Sequence, residues 1–406
     1  MDLPWSLRGG GILNIRALLL IVIFLFSSTA WGMISTNIIA TPAGPAKVTS
    51  NIGGLGIGFI REGSSEVGVL SWRPDFHLGA WGLGLDVNIP LGNSKPSYLE
   101  YLVLRYVEYD DSAKGLRYGV LDNVTLGHGL IMSNYTTRVG NQVLLTNQQM
   151  GTRGYIDFNN VALRGMYTNS KIYYARVEEK VHSVLTLGQY YVADSVGRSI
   201  TQTNGTIKKF PAVAGIGLDA TLPLPANLEG FAEVGQLVNY GNGLSAGVSW
   251  AYDLFVANMF LLGEYRVLDK GFVPEYFDYD YETNPVDLAS AEASGQKNGF
   301  VLKAGGSVFN LVSLIAAYEN YQNSNPSLNA DLTANLGSQL GVHGYFRQPN
   351  FMDYRSTTLE QGAIMGADVS YKINPLTALI WHYKQAFNPS TGKVETTQYY
   401  EIGLNI

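Results

Sequence analysis

The chain of 406 residues carries a formal charge of −6 and no basic run, which excludes nucleic acid as a partner. It has no cysteine, so a disulfide framework, thiolate metal ligands and a lipidated cysteine are excluded together. Charged residues make up 15% of the chain, where soluble domains carry about 25%, while glycine (46) and tyrosine (26) are abundant; many half-apolar strands would give that mixture.

In chain order, residues 1–32 read as an export signal. Arg8 and Arg16 precede the apolar run 17–26, too short to span a bilayer as a helix, and Ser27-Ser28-Thr29-Ala30 resembles a small-residue cleavage site. Residues 33–47 read as a linker, and 48–406 as one all-β domain. Gly54, Gly56 and Gly58 alternate, as in a strand with a small inner face. Residues 81–89 place Trp81, Leu83, Leu85, Val87 and Ile89 opposite Gly82, Gly84, Asp86 and Asn88. Between 98 and 132 the parity slips, Glu100 and Glu108 taking one face and Arg105 the other, which a bulge would resolve. His128, between Gly127 and Gly129, reads as a glycine-rich strand position. In 161–194 both 168–171 and 178–183 look like turns.

Alternation then recurs in 212–222 (Asp219 on the polar side), 228–240 (Glu233), 244–250, 300–308 (Lys303), 312–318 and 377–387 (His382, Lys384). It is clearest in 254–268, where Leu261 and Tyr265 share a face opposite Asn258, Glu264 and Arg266. These segments amount to about fourteen strands, within roughly twelve to eighteen. Their connections divide into short turns (223–227, Tyr252-Asp253, Phe309-Asn310, Asn374-Pro375) and long polar loops (195–210, 270–298, 322–362, 388–396).

In the second long loop, Glu275, Asp278, Asp280, Glu282 and Asp287 interleave with Tyr276, Phe277, Tyr279 and Tyr281. The segment fits three descriptions: a solvated rim, a calcium loop using Asp278, Asp280 and Glu282, or an acidic constriction folded inward. Arg105, Arg117, Arg164 and Arg176 form either a basic ladder or isolated ion pairs. None of His77, His128, His182, His343 and His382 pairs at metal-ligand spacing, so neither metal nor cofactor is expected.

Tyr400, Ile402, Leu404 and Ile406 alternate to the last residue. The segment Tyr400-Glu401-Ile402-Gly403-Leu404-Asn405-Ile406 resembles the C-terminal assembly signal of Gram-negative outer-membrane β-barrel proteins, porin-like ones included. That pattern usually ends in phenylalanine, where this chain has Ile406. The resemblance implies a transmembrane antiparallel β-barrel in the cell outer membrane, with short periplasmic turns and long extracellular loops. Its partners would be outer-membrane lipid and the barrel-assembly machinery. Hydrocarbon demands the same closure, since every backbone polar group there needs a partner.

Asp86, Asp219, Glu233, Glu264, Arg266, Lys303, Asp368, Lys372 and Lys384 would then line the lumen, with Gly82, Gly84, Gly215, Gly217 and Gly305 leaving room inside. The function expected is a passive, weakly cation-preferring channel for small polar solutes, without chemistry. The alternatives are a narrow or plugged barrel acting as a surface-binding or structural protein, and a lipid-modifying enzyme with a Ser–His pair. Assembly as a homo-oligomer is left open.

Overall fold

The structure is a computed structural model. It describes residues 55–62, 65–72, 74–91, 102–137, 149–181, 184–201, 206–282, 285–293, 295–309, 311–337, 339–351, 363–374, 377–388 and 393–404. The expected signal and linker, His182, the turn at Pro375 and the terminal Ile406 lie outside them.

The chain is nearly all strand. It begins with β1 (Leu55–Glu62), β2 (Ser65–Trp72), β3 (Asp75–Leu78), β4 (Trp81–Leu91), β5 (Leu102–Asp110) and β6 (Lys114–Gly119). After a long segment come β7 (Gly151–Phe158), β8 (Val161–Thr168), β9 (Ile172–Val181) and β10 (Leu185–Asp194), then a small hairpin of β11 (Arg198–Thr201) and β12 (Ile207–Phe210). Next are β13 (Val213–Leu224), β14 (Leu228–Leu237), β15 (Gly241–Leu254) and β16 (Ala257–Leu268). A second long segment carries α1 (Leu288–Ala293). The chain ends with β17 (Lys297–Val308), β18 (Val312–Tyr321), β19 (Ser327–Leu336), β20 (Leu340–Gln348), β21 (Ile364–Asn374), β22 (Thr377–Asn388) and β23 (Lys393–Leu404).

All but β11 and β12 belong to one antiparallel sheet of 21 strands, against the fourteen or so expected. Successive strands of this sheet pair, apart from β2 and β3, with β10 pairing to β13 past the small hairpin, and β1 also pairs with β23, from Leu55↔Leu404 to Phe59↔Tyr400. The first strand thus meets the last. β2 and β3 both pair with β4, one after the other.

Two features contribute to the higher count, beside the counting of β2 and β3 as two strands on one partner. Three strands, β8–β10, run in 161–194: β8 and β9 are separated by 169–171, and β9 continues through Val181, paired with Leu185, so 178–181 are strand and not the expected turn. The expected loop 322–362 contains the hairpin β19–β20. Another expected turn, Tyr252-Asp253, lies inside β15; the chain reverses instead at Phe255-Val256, with Phe255 fully exposed at 106%. Apolar residues at that tip conceal the turn, because turns are ordinarily read from Gly, Asn and Asp. The bulge needed between 98 and 132 lies at Arg105, where the β4–β5 register passes from Gly84↔Tyr106 to Leu85↔Leu104. The skipped Arg105 carbonyl accepts the Val120 N–H at 2.8 Å.

Alternation sorts the two faces. Leu218, Val234, Leu244, Val248, Leu261, Tyr265 and Leu302 are exposed on one; Asp219, Glu233, Ser245, Glu264 and Arg266 are buried on the other. Leu261 is 49% exposed and Arg266 not at all. Connections also sort by end. Turns at 79–80, 159–160, 225–227, 255–256 and 309–311 take two or three residues, while 120–150, 195–212, 269–296 and 349–363 all leave from the opposite end.

Candidate functional site

The segments 120–137 and 269–287 turn inward and pack on the buried face. Leu121, Leu126, Leu130, Ile131, Met132 and Tyr135 of the first are fully buried, as are Tyr276, Phe277 and Tyr281 of the second. A short parallel ladder joins them: the Glu275 N–H donates to the Leu130 carbonyl at 2.8 Å, Phe277 to Ile131 at 3.0 Å, and Ser133 to Phe277 at 3.1 Å. The glycines of the wall seat this cluster. A Cβ at Gly215 or Gly235 would lie 2.9 Å from the Ile131 side chain. The room expected at Gly215 is therefore filled by protein.

Charged residues of the wall pin both segments. Glu233 accepts the N–H groups of His128 at 2.7 Å and Leu130 at 3.3 Å, together with the Tyr190 hydroxyl. His128 thus belongs to a turn and not, as expected, to a strand. Gly127 and Gly129, at φ 57° and 93°, let that turn aim its amides at one carboxylate. The His128 ring stacks on Phe231 at 4.2 Å, with Nε2 2.9 Å from Thr221 Oγ1, and burial lowers its pKa. Arg266 donates to Glu264 at 2.7 Å, to Tyr321 at 2.9 Å and across to Glu275 of the inward segment at 3.0 Å. Glu282 accepts from Tyr135 at 2.5 Å and Ser170 at 2.6 Å and pairs with Arg198 at 3.2 Å.

These anchors separate the expected acidic group. Glu275 and Glu282 are bound to the wall, and Asp287 pairs with Lys208 at 2.9 Å. Asp278 and Asp280 stay together, the Asp280 N–H donating to Asp278 Oδ1 at 2.9 Å. Glu282 does not join them, so the three do not form the calcium loop considered above. Burial, reinforced by the Asp280 charge, pushes Asp278 up to about 7. Burial raises Asp280 too, against the pull of Lys384 and Arg347 nearby.

Lys384 and Arg347 belong to a different part of the wall. Strand residues in the buried cluster come from β8, β9, β10, β13, β14 and β16, with Tyr321 of β18 against it; among the described residues none comes from β19–β23. The charged face of β19–β22 is left partly exposed. There Arg347 donates to Asp331 at 2.7 Å. His382 Nδ1 lies 2.6 Å from one oxygen of Asp368, and His343 Nδ1 3.5 Å from the other.

Of the remaining residues singled out in the sequence, Asp86 lies 3.8 Å from Arg105 and Asp219 2.5 Å from Arg176. Lys303 lies close enough to Glu275 to help lower its pKa against the opposing effect of burial. Lys372 is exposed near the end of β21. The four arginines considered as a ladder each hold a carboxylate: Arg105 with Asp75 at 2.5 Å, Arg117 with Glu108 at 2.8 Å, Arg164 with Glu178 at 2.9 Å, and Arg176 with Asp219. Asp331, Arg347 and His343 are not legible as site residues in the sequence, because their strands β19 and β20 read there as loop.

No family model matches the chain, and no curated protein matches its sequence. Solved structures do. A BenF-like porin from Pseudomonas fluorescens Pf-5 is 11% identical, with 87% of this chain and 97% of that one covered and a TM-score of 0.40. The outer membrane protein opdK from Pseudomonas aeruginosa is 12% identical, with 86% and 96% covered and a TM-score of 0.40. OccK9 (OpdG) of the same organism is 10% identical, with 86% and 96% covered and a TM-score of 0.40. The chain is similar to outer-membrane porins.

Proposed function

We propose that the protein is an outer-membrane β-barrel forming a passive, weakly cation-preferring channel for small polar solutes. The observation that carries this is the pairing of β1 with β23 in a sheet whose one face is apolar and exposed while the other holds charges and inward segments. A closed sheet leaves no unpaired edge, the condition for crossing hydrocarbon as strands. Short turns at one end and long segments at the other support the same reading.

Solutes pass between the Asp278–Asp280 tip and the β19–β22 wall, where among the described residues no member of the apolar cluster lies. Opposed charges make selection weak. Asp278 and Asp280, with the net charge of −6, favour cations, while Arg347 and Lys384 moderate them. Asp86 and Asp219, paired with Arg105 and Arg176 of the wall, line the same interior, and so do Glu233, Glu264, Arg266 and Lys303, which are largely engaged around the inward segments. Steady single-channel conductance of purified protein in planar bilayers is the expected result. Tight insertion without conductance would replace the channel with the plugged, surface-binding barrel, which the packed inward segments would then explain.

A further inference from the structure

On the uncovered wall, three titratable side chains stand in one row across three strands. The register places His343 of β20 opposite Asp368 of β21, and Asp368 opposite His382 of β22. Both imidazoles turn Nδ1 towards the one carboxylate, at 3.5 Å and 2.6 Å. His343 and Asp368 are well exposed, their side chains at 47% and 41%. Histidine is the side chain whose charge changes between about pH 5 and 8, so a carboxylate flanked by two imidazoles makes a row of variable net charge.

We propose that the His343–Asp368–His382 row is a proton-responsive element of the passage, its own charge turning from negative to positive as the periplasm or surroundings acidify. With both imidazoles neutral the row carries the single negative charge of Asp368. With both protonated it carries one net positive charge. The neighbouring charges do not compensate this change. Asp331 of β19 is already paired with Arg347 of β20 at 2.7 Å. Lys372 of β21 and Lys384 of β22 remain cationic, Thr333 of β19 stands opposite His343, and β23 sets Tyr399 opposite His382. Across the space are Asp278 and Asp280, which lose charge in the same direction. The inference rests on the channel reading above.

The test is the reversal potential under a salt gradient at about pH 5 and pH 8. It is run in the D278N/D280N background, so that the acidic tip cannot contribute. Cation preference should fall roughly twofold or more on acidification in that background. Adding H343Q and H382Q should abolish the fall. Should the fourfold variant not fold, as judged by heat-modifiable gel mobility, H343Q alone keeps the test, since His343 is the more exposed of the two and should remove part of the response. A response that survives loss of the histidines overturns the inference and leaves the channel intact. No conductance from any variant, the unaltered chain included, removes both.

Discussion

Burial pushes Asp278 up to about 7, so its charge depends on pH in the range where a cell lives. The sign is fixed by its being an acid: the group is neutral below that value and anionic above it. D278N should therefore lower cation preference at about pH 8 and leave it unaltered at about pH 5, where the native carboxyl is already protonated. Reversal potentials at the two pH values decide it; equal effects at both would place the titration elsewhere. Glu282 should behave differently, because Tyr135, Ser170 and Arg198 hold it. E282Q should loosen the inward segment and not change selectivity directly. In the sequence the five acids look equivalent, spaced among the same aromatics. What separates them is contact with residues more than a hundred positions away, as Glu282 has with Tyr135, and no local pattern encodes that.

At the scale of the element, the facing of β16 was readable and makes a direct prediction. Leu261 belongs to the exposed apolar face, and an arginine there should destabilise the folded protein in lipid by about 2–4 kcal/mol. An arginine at Asn258, on the other face, should cost less, mainly the two bonds with Ser307 at 2.7 Å and 3.0 Å, at about 1 kcal/mol each. Urea titrations in vesicles compare them. R266A tests the clamp on the second inward segment: it leaves the buried Glu264 without its cation and frees Glu275 from the wall strand, at about 3–5 kcal/mol. Larger or noisier conductance should accompany that loss.

The strands that were misread share a physical reason. In β19, Leu328, Ala330, Leu332 and Ala334 alternate with Asn329, Asp331, Thr333 and Asn335. Small alanines weaken the apolar face and a wholly polar partner face mimics a loop, yet a wall that meets water needs that face. His128 differs the other way: its flanking glycines suggest a strand position, whereas they shape a turn of the segment 120–137, whose apolar residues pack onto glycines of the wall.

The whole molecule depends on one seam. β23 pairs with β22 along its length and with β1 over the span from Leu55↔Leu404 to Phe59↔Tyr400, so on the barrel reading the chain end joins the two ends of the sheet. Its final alternation was legible because both partners are strands of the same sheet and demand the same parity. Deleting residues 400–406 removes every β1 partner at that seam. Two edges would then be left with unsatisfied backbone groups, which water could solvate but hydrocarbon could not. The truncated chain should consequently fail to assemble, instead of assembling with altered conductance. Heat-modifiable gel mobility of the membrane fraction reads this: the compact unheated band should vanish while total protein persists. An open seam that still yielded a compact, membrane-resident band would mean that β1–β23 pairing is dispensable. The sheet would then need some other cover for its edges, and the barrel reading would fall with the seam.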